Sequence, residues 1–377
     1  MAENNTKFNR GGAELSIELL DKLQAATNKE NVLISPLSIQ TCMALAFTGA
    51  KGATAEEIAK VMNFPSNCTK DVANSFHQVL SKYENNKLVK IANKVYVQEG
   101  HTIKPEYAAI TKEKYYASAE SINFAENVAA ANKINNWVEE KTSGKITDLI
   151  PSDALDADTR LILLNALHFK GEWQEKFDPE DTKEDDFWLN ENESIQVEFM
   201  RNQGDFRLGY LPDYECEALE MPYKDSDLSM FVLLPVKRDG LKALVEKLKG
   251  VNLLDLDQQL STASNMIVKF PKFKIEYSIE LSKVMQEMGI KTAFEAADLS
   301  NMLESETQGV YVSDIFHKTS IEVNEEGCEA AAATGLVATF RCMPRQFMAD
   351  CPFLYFIWNK KNILFAGAFV KPPQIGA

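Results

Sequence analysis

The sequence predicts an α+β fold in one large domain, on three observations. Helical periodicity is concentrated in the first half, strand-like runs fill the second, and no regular βα alternation joins them. No internal repeat or low-complexity linker interrupts the 377 residues. With 45% hydrophobic and 25% charged residues, the composition is that of a soluble globular chain with a large core.

The elements follow in order. Leu15, Ile17, Leu19, Leu20 and Leu23 fall at helical spacing and predict a first helix over Glu14–Leu23. Residues 31–34 form a short strand feeding a helix that Ser35 caps, with Pro36 at its first position and Gly49 at its end. Thr54 is expected to cap another helix through the Thr54-Ala55-Glu56-Glu57 sequence. Lys87–Gln98 alternates like a strand, Val128–Thr142 carries Ile134, Trp137 and Val138 on one helical face, and Leu161–Phe169 reads as a strand buried on both sides. Several strands separated by turns are expected over Ser194–Pro235. Helices are expected over Leu241–Leu248 and Ile279–Met288, and strands over Ile267–Ile275, Gly309–Val323, Phe353–Trp358 and Ile363–Val370.

A net charge of −15 and a pI near 4.9 argue against nucleic acid or an anionic membrane as partner. No stretch approaches the ~20 apolar residues of a membrane span. Met1–Gly12 is polar and carries no apolar signal segment. The chain is therefore read as made in the cytosol or as a mature form that has lost its signal. Six scattered cysteines form no CxxC pair, and Asn4, Asn67 and Asn192 head sequons that arise as often by chance. His77, His101, His168 and His317 are far apart in sequence, with no HExxH or Cys/His cluster, so no zinc site is expected. No nucleophile elbow, dinucleotide fingerprint or phosphate loop is present, which makes an enzyme the weaker hypothesis.

One stretch stands apart. After Glu325-Glu326-Gly327-Cys328-Glu329 come Ala330, Ala331, Ala332 and Ala333, then Thr334 to Cys342, and finally Cys351-Pro352-Phe353. Glu followed by four alanines suits an exposed helix. The same residues also suit a strand. Cys328, Ala330, Ala332, Thr334, Leu336 and Ala338 share one parity, with no charge and no proline, and could be buried within a sheet.

The chain resembles the serpin family of serine protease inhibitors from its first helix to its C-terminus. The motifs are Asn31–Ile39 with Gly49–Thr54, Ile134–Ile146, Asn165–Trp173, Phe270–Phe273 and Leu364–Gly367, in family order. The resemblance implies about nine helices and three sheets, an expandable central sheet and an exposed reactive-centre loop over about 324–351. It makes Glu325, Gly327, Cys328, Glu329, Ala330, Ala331, Ala332, Ala333 and Thr334 the hinge, which settles that stretch as a strand in waiting. Cys328 stands where Thr or Ser is usual, and Cys351 replaces a basic or polar residue. The family's scissile residue lies fourteen positions after the hinge glycine and eleven before the Pro-Phe pair. Both counts reach Arg341, followed by Cys342. Ser35, Ser38, Asn165 and His317 match the family's shutter beneath the sheet, while Trp173 and Lys318 match the breach where the loop enters.

The implied function is suicide-substrate inhibition. An arginine bait fits an acidic S1 pocket, so the expected partner is a trypsin-like serine protease. Phe340 would let a chymotrypsin-like enzyme cut one residue earlier. No cofactor is implied. A glycosaminoglycan would need a basic patch, for which Lys82, Lys87, Lys90 and Lys94 are thinly spread. The chain is expected as a monomer, extracellular because trypsin-like proteases abound there, with a cytoplasmic placement as the alternative. A non-inhibitory serpin acting as carrier, chaperone or storage protein is the second hypothesis, disfavoured by the small hinge residues. A hydrolase is the third.

Overall fold

A computed structural model of the chain describes residues 2–27, 30–64, 68–84, 86–304, 309–326 and 344–372. Its elements begin with α1 (Ala2–Thr27), β1 (Val32–Ile34), α2 (Pro36–Gly49), α3 (Gly52–Val61), α4 (Thr69–Leu80) and β2 (Val89–Gln98). There follow α5 (Pro105–Tyr115), β3 (Ser118–Ile122), α6 (Asn127–Lys141), β4 (Leu161–Phe169), β5 (Lys183–Trp188), β6 (Ser194–Leu211), β7 (Cys216–Pro222) and β8 (Ser229–Pro235). The last are α7 (Leu241–Leu248), β9 (Ser261–Pro271), β10 (Phe273–Glu280), α8 (Ser282–Met288), α9 (Thr292–Glu295), β11 (Val312–Val323), β12 (Gln346–Met348), β13 (Phe353–Trp358) and β14 (Ile363–Phe369).

These strands make a five-stranded sheet ordered β10-β11-β4-β2-β3 and a nine-stranded sheet ordered β1-β14-β13-β8-β7-β6-β9-β12, with β5 on β6. The fold class is α+β, as the sequence implies. Two of the three expected sheets run together through β6. Its 18 residues pair with β5 and β9 along the first part and with β7 along the last.

The chain forms two compact units, one from Met1–Leu15, Ile34–Phe169 and Glu276–Ser320, the other from Ser16–Leu33, Lys170–Ile275 and Ile321–Ala377. In the first, β4 is buried at all nine positions, because both of its faces are covered. Ile162, Leu164 and Ala166 share a core with Ala92 and Tyr96 of β2, Phe316 of β11, and Ala130, Ala131, Ile134 and Val138 of α6. Residues of the other parity turn to the opposite face, where α2 packs on β2 and β4. That helix is buried at every position, as expected of a helix with no polar stripe. Ser35 caps it as predicted, its Oγ accepting from Ser38 N at 3.2 Å.

In the second unit an aromatic cluster closes around β13 and β14. Phe353 lies 5.1 Å from Phe369 and 5.3 Å from Phe270, and Phe273 lies 4.7 Å from Phe369. Gly367 is the glycine this packing requires, since a Cβ there would meet Tyr355 Cζ at 2.3 Å.

Some sequence expectations need correcting. The first helix starts well before Glu14, at Ala2. Thr54 does not cap α3; Lys51 is at that position, and Thr54 is a buried acceptor for Asp298 N at 3.1 Å. The run Ile267–Ile275 is two strands divided at Lys272, and the first part of the predicted helix Ile279–Met288 belongs to β10.

Candidate functional site

The first cluster of family-matched residues lies on the α2 face of the five-stranded sheet. His317 of β11 is fully buried. Ser35 N–H donates to its Nε2 at 3.1 Å, which leaves Nδ1 to carry the proton and donate to Asn165 Oδ1 on β4. Asn165 Nδ2 in turn donates to Asn93 Oδ1. Burial lowers the His317 pKa from 6.5 to about 3, so the ring is neutral at pH 7. The cluster therefore holds β4, β11 and the start of α2 together through one neutral imidazole. Ser38 contributes its backbone N–H to Ser35; its own Oγ is buried without a hydrogen-bond partner among the described residues. Sequence reasoning missed Asn93. It lies directly opposite Asn165 in the β2–β4 register, and the only local signal was an asparagine inside an apolar strand.

The second cluster lies in the other unit. Trp173 is 2% exposed; its Nε1 donates to the Asn324 carbonyl at 2.9 Å. Its ring stacks on Tyr223 at 4.6 Å and meets Phe177 edge-on at 6.1 Å. One residue on, Glu325 is an anchor. Its Oε1 accepts from Thr182 Oγ1 at 2.8 Å and from Lys272 Nζ at 3.1 Å, and its carbonyl accepts from Phe177 N–H at 3.1 Å. Burial pushes the Glu325 carboxyl up, but its hydrogen bonds and the Lys272 charge more than offset this and leave it below the usual range. Thr182 and Lys272 were not foreseen, because nothing local marks them as partners of a glutamate so distant in sequence.

Lys318, in the first unit, donates to the Thr147 carbonyl at 2.7 Å, in the segment that follows α6. Among the lysines weighed for an anionic cofactor, Lys94 is buried against Glu120 at 2.6 Å and Lys90 donates to the Asn86 carbonyl at 3.1 Å. Gly327, Cys328, Glu329, Ala330 to Ala333, Thr334, Phe340, Arg341 and Cys342 lie outside the described residues. What flanks them is defined. β11 ends at Val323, two residues before the Glu325 anchor, and β12 starts at Gln346, paired parallel to β9. Among the described residues, no helix is long and apolar enough to cross a membrane.

Comparison with known proteins agrees with this architecture. The sequence profile of the family described as Serpin (serine protease inhibitor) matches residues 10–372. Serine protease inhibitor 42Dd of Drosophila melanogaster is 36% identical, over 95% of this chain and 96% of its own length. Leukocyte elastase inhibitor of Bos taurus is 36% identical over 98% of each chain. Among solved structures, cleaved Serpin 42Da superposes with a TM-score of 0.88 at 37% identity, covering 98% of this chain and 99% of that one. The chain belongs to the serpin family of serine protease inhibitors.

Proposed function

We propose that the chain is a suicide-substrate inhibitor of trypsin-like serine proteases, with the Arg341–Cys342 bond as bait. The observation that carries this is the continuity of the hinge with the sheet. β11, the neighbour of β4, leads within two residues to the anchored Glu325, and the small-residue stretch starts just beyond at Gly327. The segment is thus covalently joined to the sheet it would enter.

In this reading the protease serine attacks the Arg341 carbonyl carbon, an acyl ester forms, and the Cys342 amide nitrogen leaves protonated. The freed Gly327–Arg341 segment spans about 46 Å when extended at ~3.3 Å per residue. It enters between β4 and β11 and carries the tethered protease with it. Small, uncharged side chains at Cys328, Ala330, Ala332 and Thr334 let the strand pass into the sheet. Each ladder hydrogen bond adds only about 0.5–1.5 kcal/mol net, so a dozen of them plus burial supply the work of distorting the protease. The intact form persists by its barrier.

Ser35, Ser38, Asn165 and His317 act as the shutter that resists separation of β4 from β11. Trp173 and Lys318 act at the breach, and residues 1–377 work as one serpin domain. No cofactor is assigned a role, and the inhibitor acts as a monomer. Secretion draws no support from the relatives' names, and a cytoplasmic placement stands beside it.

Mixing the protein with trypsin near equimolar ratio and running denaturing gels tests the reading. A heat-stable band of summed mass, lost in Arg341→Ala, is expected. Clean cleavage after Arg341 without that band would make the chain a substrate and return it to the carrier or storage class. A band that survives the mutation would move the bait to Phe340.

A further inference from the structure

The chain that follows the bait enters the nine-stranded sheet at β12, which ends the strand order beside β9. Register lays rows of residues across this end of the sheet. Arg201 of β6 stands opposite Lys269 of β9, which stands opposite Met348 of β12; Gln203, Ile267 and Gln346 form the next row of the same parity. The row between them, Asn202, Val268 and Phe347, turns the other way, and Val268 and Phe347 are fully buried. The first two rows therefore face solvent. Arg201, Gln203 and Gln346 are exposed, and Met348 is one of the exposed large apolar side chains, at 38%.

Charge on this face departs from the pattern of the chain. Arg10, Arg160 and Arg207 each pair with a carboxylate, and Arg238 lies over the Trp188 ring at 3.8 Å. Lys269 is likewise taken up, by Asp185 and by the Phe199 ring at 4.3 Å. The Arg201 guanidinium has neither a hydrogen bond nor an ion pair with any described residue. It also stands directly across the ladder from a second cation, Lys269, an arrangement that destabilises a strand pair. In a chain of net charge −15, an unpaired arginine at such a position breaks a local rule with no return inside the fold, as functional surfaces do.

Chain length says what the face meets. Gln346 is five residues beyond Arg341, so the two lie no more than about 18 Å apart. A protease domain of roughly 220 residues is about 40 Å across. Closed on Arg341, as proposed above, it stands against this end of the sheet.

We propose that Arg201, with Met348 beside it, is a second docking point for the target protease, and that the matching surface of that protease is acidic beside its catalytic cleft. This rests on the inhibitory reading and adds a partner chemistry to it. Arg341 selects the trypsin-like class through the S1 pocket, and Arg201 selects within that class by surface charge. A charge at the rim of an interface acts mainly on the association rate and its salt dependence.

The probes are anionic and cationic trypsin, which share the arginine pocket and differ in surface charge. The second-order rate constant of inhibition is measured for the wild type, Arg201→Ala, Arg201→Glu and Lys242→Glu, at low and high salt. Lys242 is exposed on α7, so its reversal changes the net charge equally but away from this face. Arg201→Ala is expected to slow anionic trypsin about 1.5- to 5-fold, the range an exposed ion pair spans. Arg201→Glu should slow it further, Arg201→Lys should keep most of the wild-type rate, and high salt should erase the differences. The anionic-to-cationic rate ratio should fall more in Arg201→Glu than in Lys242→Glu. Equal ratios in those two variants overturn the docking point and leave the inhibitory reading standing. A wild type that forms no covalent complex with either trypsin overturns both.

Discussion

Acid should loosen the seam between β4 and β11 through His317. The buried ring has a pKa of about 3, against 6.5 for the unperturbed group. As pH falls the unfolded chain takes up the proton first, so the stability that the neutral ring supplies is lost. It is fully present above pH 6.5, falls by up to ~1.4 kcal/mol per pH unit below that, and levels off below pH 3. Between pH 7 and pH 5 the loss is about 2 kcal/mol.

Asp314 opposes it. Burial, with repulsion from Glu280 and Asp156, raises that carboxyl to about 6, so the folded state binds the extra proton as pH falls. Partial exposure limits this gain to roughly 1 kcal/mol over the same range. The clean experiment therefore starts from Asp314→Asn and adds His317→Gln. The glutamine amide can still accept from Ser35 N–H and donate to Asn165. The midpoint of the first urea transition should fall steeply from pH 7 to 5 in the single variant and be nearly flat in the double. A slope that survives His317→Gln would refute the assignment.

Two further outcomes follow from the packing. Glu325→Lys places an ammonium against Lys272 at a site 7% exposed, and should destabilise by about 3 kcal/mol or more. Glu325→Gln keeps an oxygen that can accept from Thr182 and should cost less, as the midpoints of urea unfolding would show. Gly367→Ala forces a Cβ to within 2.3–2.6 Å of three Tyr355 ring and hydroxyl atoms. A loss of about 1–3 kcal/mol by overpacking is expected; an unchanged melting temperature would mean that Tyr355 moves freely aside.

How much of this was legible depended on how locally each feature is encoded. β4, β13 and α7 were readable because largely apolar runs or a clean helical stripe define them. α4, α5 and β3 were not. The Ser-Ala-Glu-Ser-Ile sequence of β3 is half-exposed at four of its five positions, so no strand alternation shows. The break between β9 and β10 was hidden because apolar residues continue on both sides of Lys272.

The site divided in the same way. Ser35 announced itself as a cap, whereas Asn165, His317 and Trp173 gained roles only through the family resemblance. Asn93, Thr182 and Lys272 meet their partners across strands or loops far apart in sequence. Such partners are fixed by sheet register and tertiary packing, which a single sequence does not display.

The central claim is that the segment after Gly327 becomes a strand between β4 and β11. The most direct test is to cleave the purified protein after Arg341 and compare thermal unfolding before and after the cut. Insertion adds a new ladder on both sides of the seam, so cleavage should raise the melting temperature well above that of the intact chain. A melting temperature that stays the same or falls would mean that the cut loop remains outside the sheet, contradicting the account.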